Sequence, residues 1–271
     1  MNRFAIKSKA KEALKGNWKT AVLSMLIYEV IWIILYILIS LFSSNSFSKL
    51  FLGKNAFILA FVGWILMVIV VVAAIIVTGN MNYGITKIVL NLNRNKEISV
   101  KTLFDGFKDR FVRNSLVELL ISIAKALATG IFTFIGLVIG GSTLILQIGQ
   151  ITEDPTSVAK GLGFFVVVML ICVIAGAIFQ VVVVYALKLA FYVRLDNPDL
   201  TAFECLKKTV AISNRHKLDL FVLELSFIGW DVLSICTLGI LYLWVMPYKK
   251  TAEAAFYEMV IEENAKIEKE A

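Results

Sequence analysis

Four stretches of this sequence run for twenty residues or more with almost no charge, and nothing in the chain constrains its fold more tightly. Residues 20–42 are interrupted only by Glu29, and 56–77 carry no charge. Residues 115–150 carry Glu118 and Lys125, and 161–187 carry none, with Lys188 at their end. A helix of about 20 apolar residues crosses about 30 Å of hydrocarbon. Each stretch is therefore long enough to span a bilayer. With 59% hydrophobic and 17% charged residues, against the roughly half and quarter of soluble domains, 271 residues carry more apolar surface than a soluble core can cover. The expectation is an all-α, polytopic transmembrane helical bundle.

A fifth stretch, 218–248, is broken by Asp219, Glu224 and Asp231, and its Thr237-Leu238-Gly239 reads as a helix break. Charge decides between one crossing and a hairpin. Of 27 Lys and Arg, six precede Thr20, seven lie from Lys87 to Arg113, five from Arg194 to Lys217 and four after Tyr248, which is 22; only Lys49, Lys54 and Lys160 fall in the opposite loops. Basic residues collect on the cytoplasmic side, so both termini are expected there, in an inner or plasma membrane. That favours about six membrane segments, the last two a short hairpin whose second arm, 240–248, enters partway and continues into a helix over 251–263. The tail, 249–271, reads as a solvated cytoplasmic helix. The net charge of +7 is thus used for orientation, and no nucleic-acid partner is expected. Cys172, Cys205 and Cys236 suggest neither a disulfide nor a zinc site, and Cys205 is expected to label from the cytoplasmic side. The first apolar run is too long for a signal peptide and should remain as an anchor.

Before the first, third and fifth hydrophobic segments lies a short basic stretch with apolar residues at helical spacing. Ile6, Ala10, Leu14 and Trp18 run beside Lys7, Lys11 and Lys15; Leu103, Phe104, Phe107 and Phe111 form the second stripe; Leu200, Phe203, Leu206 and Val210 form the third. Such helices lie in the headgroup plane. Each ends in a basic residue (Lys19, Arg113, Lys217) followed by a carboxylate within the apolar run (Glu29, Glu118, Glu224). The pattern reads as three hairpin units, 1–95, 96–193 and 194–271, within a single membrane domain. The headgroup contacts expected are Lys7, Lys11, Lys15, Trp18, Arg113, His216 and Lys217, with anionic lipid as the partner.

Several short motifs carry a resemblance. Ala10-Lys11-Glu12-Ala13-Leu14-Lys15-Gly16-Asn17-Trp18, Leu103-Phe104-Asp105-Gly106-Phe107 and Leu225-Ser226-Phe227-Ile228-Gly229-Trp230 are the longest. Thr237-Leu238-Gly239-Ile240, Pro247-Tyr248 and Phe256-Tyr257-Glu258 complete them. Together they resemble a bacterial family of polytopic membrane proteins, domain of unknown function 975, over nearly the whole chain. Ser213-Asn214-Arg215-His216-Lys217 departs from its pattern in lacking a glycine. The resemblance implies an integral membrane protein and supplies no catalytic residues. A looser similarity, to the membrane domain of some glycerophosphodiester phosphodiesterases, hints at a lipid-related role.

Ionisable groups inside a span are costly and are functional candidates by default. Glu118, Ser122, Lys125, Thr129, Thr133, Gly136, Gly140, Thr143 and Gln147 fall on one arc of the third hydrophobic helix. They line either a solute path or, more commonly for small residues, a helix interface. Glu118, Lys125, Glu224 and Asp231 are the candidate intramembrane polar site, Asp231 being the deepest, with Lys125 offered to Asp231 or Glu224. Gly79, Gly84 and Gly106 make no phosphate-binding pattern, and no cofactor or metal is expected. The leading expectation is a non-enzymatic protein that binds anionic lipid in membrane organisation or envelope homeostasis. A small-solute transporter or channel using the stripe is the alternative, and an intramembrane enzyme the weaker one.

Overall fold

The computed structural model describes residues 3–42, 56–149 and 156–270. Every regular element among them is helical. α1 is Arg3–Leu14, α2 Trp18–Phe42 and α3 Ala56–Asn93. A 3-10 turn, Val100–Phe104, runs into the single-turn α4, Asp105–Lys108, and then into α5, Phe111–Gly149. α6 is Ser157–Leu187, α7 Ala190–Asp196, α8 Ala202–Ser213, α9 Lys217–Leu225, α10 Ile228–Cys236 and α11 Tyr242–Glu270. Four helical stretches are long and apolar enough to cross a membrane: Trp18–Phe42, Phe61–Asn93, Phe111–Ile148 and Ser157–Asp196. Only 6–11% of their most apolar windows is covered by protein, so lipid must cover the rest. Lys49 and Lys54, assigned above to an outer loop, lie outside the described residues.

The chain forms two compact units, one of residues 120–188 and one of 1–119 with 189–271. The first is an antiparallel pair made by the later part of α5 and α6. Its seam is the polar and small stripe of α5. Gly136 meets Met169 and Cys172, Gly140 meets Phe165, and Gln147 packs on Gly161. Thr129 Oγ1 donates to Gln180 Oε1 at 3.1 Å, and Ser157 Oγ to the Gln147 carbonyl at 2.9 Å. Small residues permit this approach and the side-chain hydrogen bonds hold it. The stripe from Thr129 to Gln147 is therefore filled by a neighbouring helix.

The other unit is built around the polar ends of the long helices. Ile6, Ala10 and Leu14 of α1, Ile88, Val89 and Leu92 of α3, and Ala252, Phe256, Tyr257 and Val260 of α11 are all buried. The segment read as a solvated tail is thus core from Thr251 to Tyr257, and only from Glu262 onward does α11 turn outward. Above this core Arg94 grips Asp196 with two bonds of 2.9 Å and Glu258 at 3.2 Å. Tyr257 Oη donates to Asp196, and Lys9 reaches Glu258 at 3.1 Å. Four helices, α1, α3, α7 and α11, meet in that one network. Cys205 is buried on the inner face of α8, and burial pushes its thiol upward. Contrary to the expectation from sequence, a soluble maleimide should leave Cys205 unmodified until the protein is denatured, as mass spectrometry of the labelled chain would read.

α9 and α10 are nine residues each, about 14 Å, or half the hydrocarbon thickness. The chain breaks between them at Ser226 and Phe227, and reverses after α10 where Thr237-Leu238-Gly239 was read as a stop. There the Gly239 amide bonds the Ser234 carbonyl and the Leu238 amide bonds that of Ile235, while Leu238 itself holds φ +51. This is the helix-ending motif that ordinarily places glycine in the left-handed position. Leu238 is 94% exposed and Ile235 and Ile240 flank it outward, giving the reversal an apolar tip.

The Leu103-Phe104-Asp105-Gly106-Phe107 segment is pressed onto α3 by two glycines. A Cβ on Gly84 would lie 2.0 Å from the Leu103 carbonyl oxygen, and one on Gly106 would lie 2.1 Å from that of Asn80. Both obstacles are backbone. Alanine at Gly84 would gain up to about 1 kcal/mol of helix propensity, but the overlap forces a shift costing about 1–3 kcal/mol or more. Thermal unfolding in detergent should show Gly84→Ala and Gly106→Ala destabilised by about 1–2 kcal/mol. Gly163→Ala, which meets nothing within 4 Å, should be neutral or better. Equal melting of all three would refute the docking described.

Candidate functional site

Of the polar residues singled out from sequence, Asp231 has the most definite partner. Lys249 Nζ donates to both carboxylate oxygens, at 2.9 and 3.1 Å, tying α10 to the first turns of α11 across the reversal. The cation at Asp231 is a neighbour along the chain, where the sequence had offered Lys125. Glu118 accepts from Asn82 Nδ2 at 3.1 Å, and its Cβ lies where a side chain on Gly79 would project. Glu224 is half-buried on α9 and gives its carbonyl to the Phe227 amide at 2.8 Å. Lys125 is half-buried in the smaller unit.

The expected headgroup contacts divide in the same way. Lys7 Nζ donates to the Ser226 carbonyl at 2.8 Å and stands 4.1 Å from the Phe227 ring centre, while Lys11 lies 5.6 Å from that of Tyr248. Burial in this contact, with Arg3 and Lys11 close by, holds the Lys7 ammonium below the usual lysine range. Lys7 serves the joint between α9 and α10, and Lys11 the start of α11. His216 is buried, its Nδ1 3.7 Å from Asp219, and Lys217 donates to Asn214 Oδ1 at 3.1 Å. Lys15 is exposed and Trp18 is half-buried at the start of α2. Arg113 donates to the carbonyls of Pro198 and Asp199 at 3.3 and 3.2 Å.

Arg113 leads to the residues that sequence reasoning missed. Arg194, 1% exposed, donates to the Pro198 and Leu200 carbonyls at 3.0 and 2.9 Å and to Asn114 Oδ1 at 3.4 Å. Asn114 in turn donates to Gly106 and Asp109 carbonyls and to Asn80 Oδ1. Beside this network open two clefts that share Lys108 and Arg110. One, of about 340 Å³, has Arg194 and Tyr83 in its wall; the other, of about 550 Å³, is lined by Arg113, Phe111 and Val112. Four cations face Asp109 and Asp199. Asp109 is engaged by Lys87 at 3.2 Å, and Asp199 by Arg110 at 3.0 Å, which leaves an excess of positive charge.

Phe111 and Val112 give the larger cleft an apolar side. From Phe111 an exposed ladder continues through Phe107 to Phe104, with ring centres 6.2 and 6.4 Å apart. Arg110 holds the left-handed backbone at φ +57, an unfavourable state for a side-chain-bearing residue that concentrates where function demands it. A basic cleft with an aromatic rim suits a phosphate attached to an apolar body.

A family model described as "Protein of unknown function (DUF975)" matches residues 1–264. The chain belongs to that family. No curated protein and no solved structure matches it. In this DUF975 chain every motif that carried the resemblance lies in the larger unit, at a joint. Gly16 turns α1 into α2 at φ +86, Gly106 docks on α3, Ser226 and Phe227 receive Lys7, and Tyr257 and Glu258 belong to the Arg94 network.

The Asp231–Lys249 pair makes a direct prediction. In detergent, Asp231→Asn and Lys249→Met should each lower the melting temperature, and the double variant should lose less than the sum, with coupling of about 1 kcal/mol or more. Strictly additive losses would mean the pair does not hold the hairpin.

Proposed function

We propose that this DUF975 protein is a non-enzymatic, multi-pass protein of the bacterial plasma membrane that binds anionic phospholipid headgroups and acts in membrane organisation or envelope homeostasis. The carrying observation is the pair of adjoining clefts that hold Lys108, Arg110, Arg113 and Arg194, with Phe111 in the wall and the exposed ladder of Phe107 and Phe104 leading from it. α8 supports the same reading. It buries Ala202, Cys205, Thr209 and Ser213 and turns Phe203, 71% exposed, and Val210 outward beside Lys207 and Lys208, as an interfacial helix does. The side of the membrane on which 22 of 27 basic residues gather is the cytoplasmic one, with both termini there. Four helices cross, and α9, α10 and the start of α11 enter halfway as a hairpin with the Leu238 tip in lipid.

The test uses the full chain in detergent, titrated with phosphatidylglycerol or phosphatidylcholine and followed by native mass spectrometry. Each basic residue near a surface contributes about 1 kcal/mol toward anionic lipid. Lys108→Gln with Arg110→Gln should therefore weaken phosphatidylglycerol binding about thirtyfold and leave phosphatidylcholine unchanged, and added salt should act in the same direction. Indifference of the wild-type chain to lipid charge would sink the proposal.

A further inference from the structure

A third cavity, about 340 Å³, lies in the larger unit between α2, α3 and α11. Its walls are Tyr28, Glu29 and Trp32 from α2, Asn82 and Ile85 from α3, and Met246 and Lys250 from α11. Glu29 stands eleven residues into a membrane-crossing helix, about 16 Å along its axis. A carboxylate at that depth demands a partner. Among the described residues no cation bonds it. Lys250, on the opposite wall, is turned to Glu253 at 3.3 Å, and the Asn82 amide is given to Glu118. The carboxylate therefore faces a chamber it shares with the rings of Tyr28 and Trp32.

A carboxylate beside aromatic faces is the combination that receives an ammonium group, because the ring quadrupole attracts a cation that the carboxylate then neutralises. The cavity is reached from the lipid side: Trp32 is 47% exposed, and its neighbours Val30 and Ile33 are exposed apolar residues of a crossing helix. Trp32 also stacks on Tyr36 at 5.8 Å, which fixes the indole at the rim. Lys250 is the cation on the opposite wall, and a phosphate there would draw its ammonium from Glu253. The chemistry on the two walls is complementary to a group carrying an ammonium and a phosphate a few ångströms apart.

We propose that this cavity binds the zwitterionic head of an ammonium-bearing phospholipid, with Glu29, Trp32 and Tyr28 taking the ammonium and Lys250 the phosphate. The site is separate from the basic cleft and has the opposite preference. It stands independently of whether that cleft binds anionic lipid.

The experiment is a native mass-spectrometric titration of the full chain in detergent with phosphatidylethanolamine, phosphatidylglycerol and soluble phosphoethanolamine. Glu29→Gln and Trp32→Leu should each weaken phosphatidylethanolamine binding about tenfold and leave phosphatidylglycerol binding as in wild type. Lys108→Gln with Arg110→Gln should do the reverse, so failure at one site is not mistaken for failure at the other. Trp32 lies at the rim, and its variant decides the matter if Glu29→Gln does not fold. Unchanged phosphatidylethanolamine binding in Trp32→Leu, or an equal loss of both lipids, would overturn the assignment. Competition by soluble phosphoethanolamine at the concentration of the lipid would overturn the lipid as its source.

Discussion

The larger unit depends on a buried guanidinium that, among the described residues, is held by neutral oxygens. Removing an ion from water costs several kcal/mol even after relaxation, and Arg194 recovers this from the Pro198 and Leu200 carbonyls and from Asn114. Those acceptors come from the loop after α7 and from the first turn of α5. The same asparagine then reaches Gly106 and Asn80, so the position of the 3-10 turn on α3 follows from how one side chain is satisfied. Because no carboxylate among the described residues closes on Arg194, its charge also adds to that of Lys108, Arg110 and Arg113. The geometry of the joint and the potential of the cleft have a common cause.

Hydropathy made the crossing helices legible and their full extent illegible. α3 has 38 residues and α5 has 39, about 57 Å and 58 Å, nearly twice the hydrocarbon thickness. The second apolar run ends at Val77 in the sequence because Asn80, Asn82, Thr86 and Asn93 look like loop residues. They are helical, Asn80, Thr86 and Asn93 buried and Asn82 half-buried, with Asn93 bonding the Thr251 carbonyl. Burial against other helices of the same chain leaves no trace in a window average. For the same reason 251–257 passed for a solvated tail, since Thr251 and Glu253 are polar by type and inside by position.

Of the three amphipathic segments two are helices, α1 and α8, while the middle one is a 3-10 turn and one helical turn that bury Leu103 and expose Phe104 and Phe107; a helical wheel does not say what lies opposite each face. Ile6, Ala10 and Leu14 turn to protein, whereas α8 hides its small residues and presents Phe203 and Val210. Asp231 was legible as a carboxylate in need of a partner, and which partner was not. Lys249 is brought to it only by the reversal at Leu238 and Gly239, a matter of backbone angle. The polar stripe of α5 was rightly weighed toward packing, since glycines at 136 and 140 invite a close neighbour whichever helix supplies it.

The closure of the core by α11 has a consequence for how the protein is made. The inner face of α1 packs on α11, with Lys9 on Glu258 and Lys7 beneath Tyr248, a partner some 240 residues later in the chain. At a synthesis rate of about 5–20 residues per second, α1 leaves the ribosome about 12–50 s before the helix that will cover it. Through that interval α1 has only its contact with α3. The core of the larger unit therefore closes last, when α11 covers the inner face of α1.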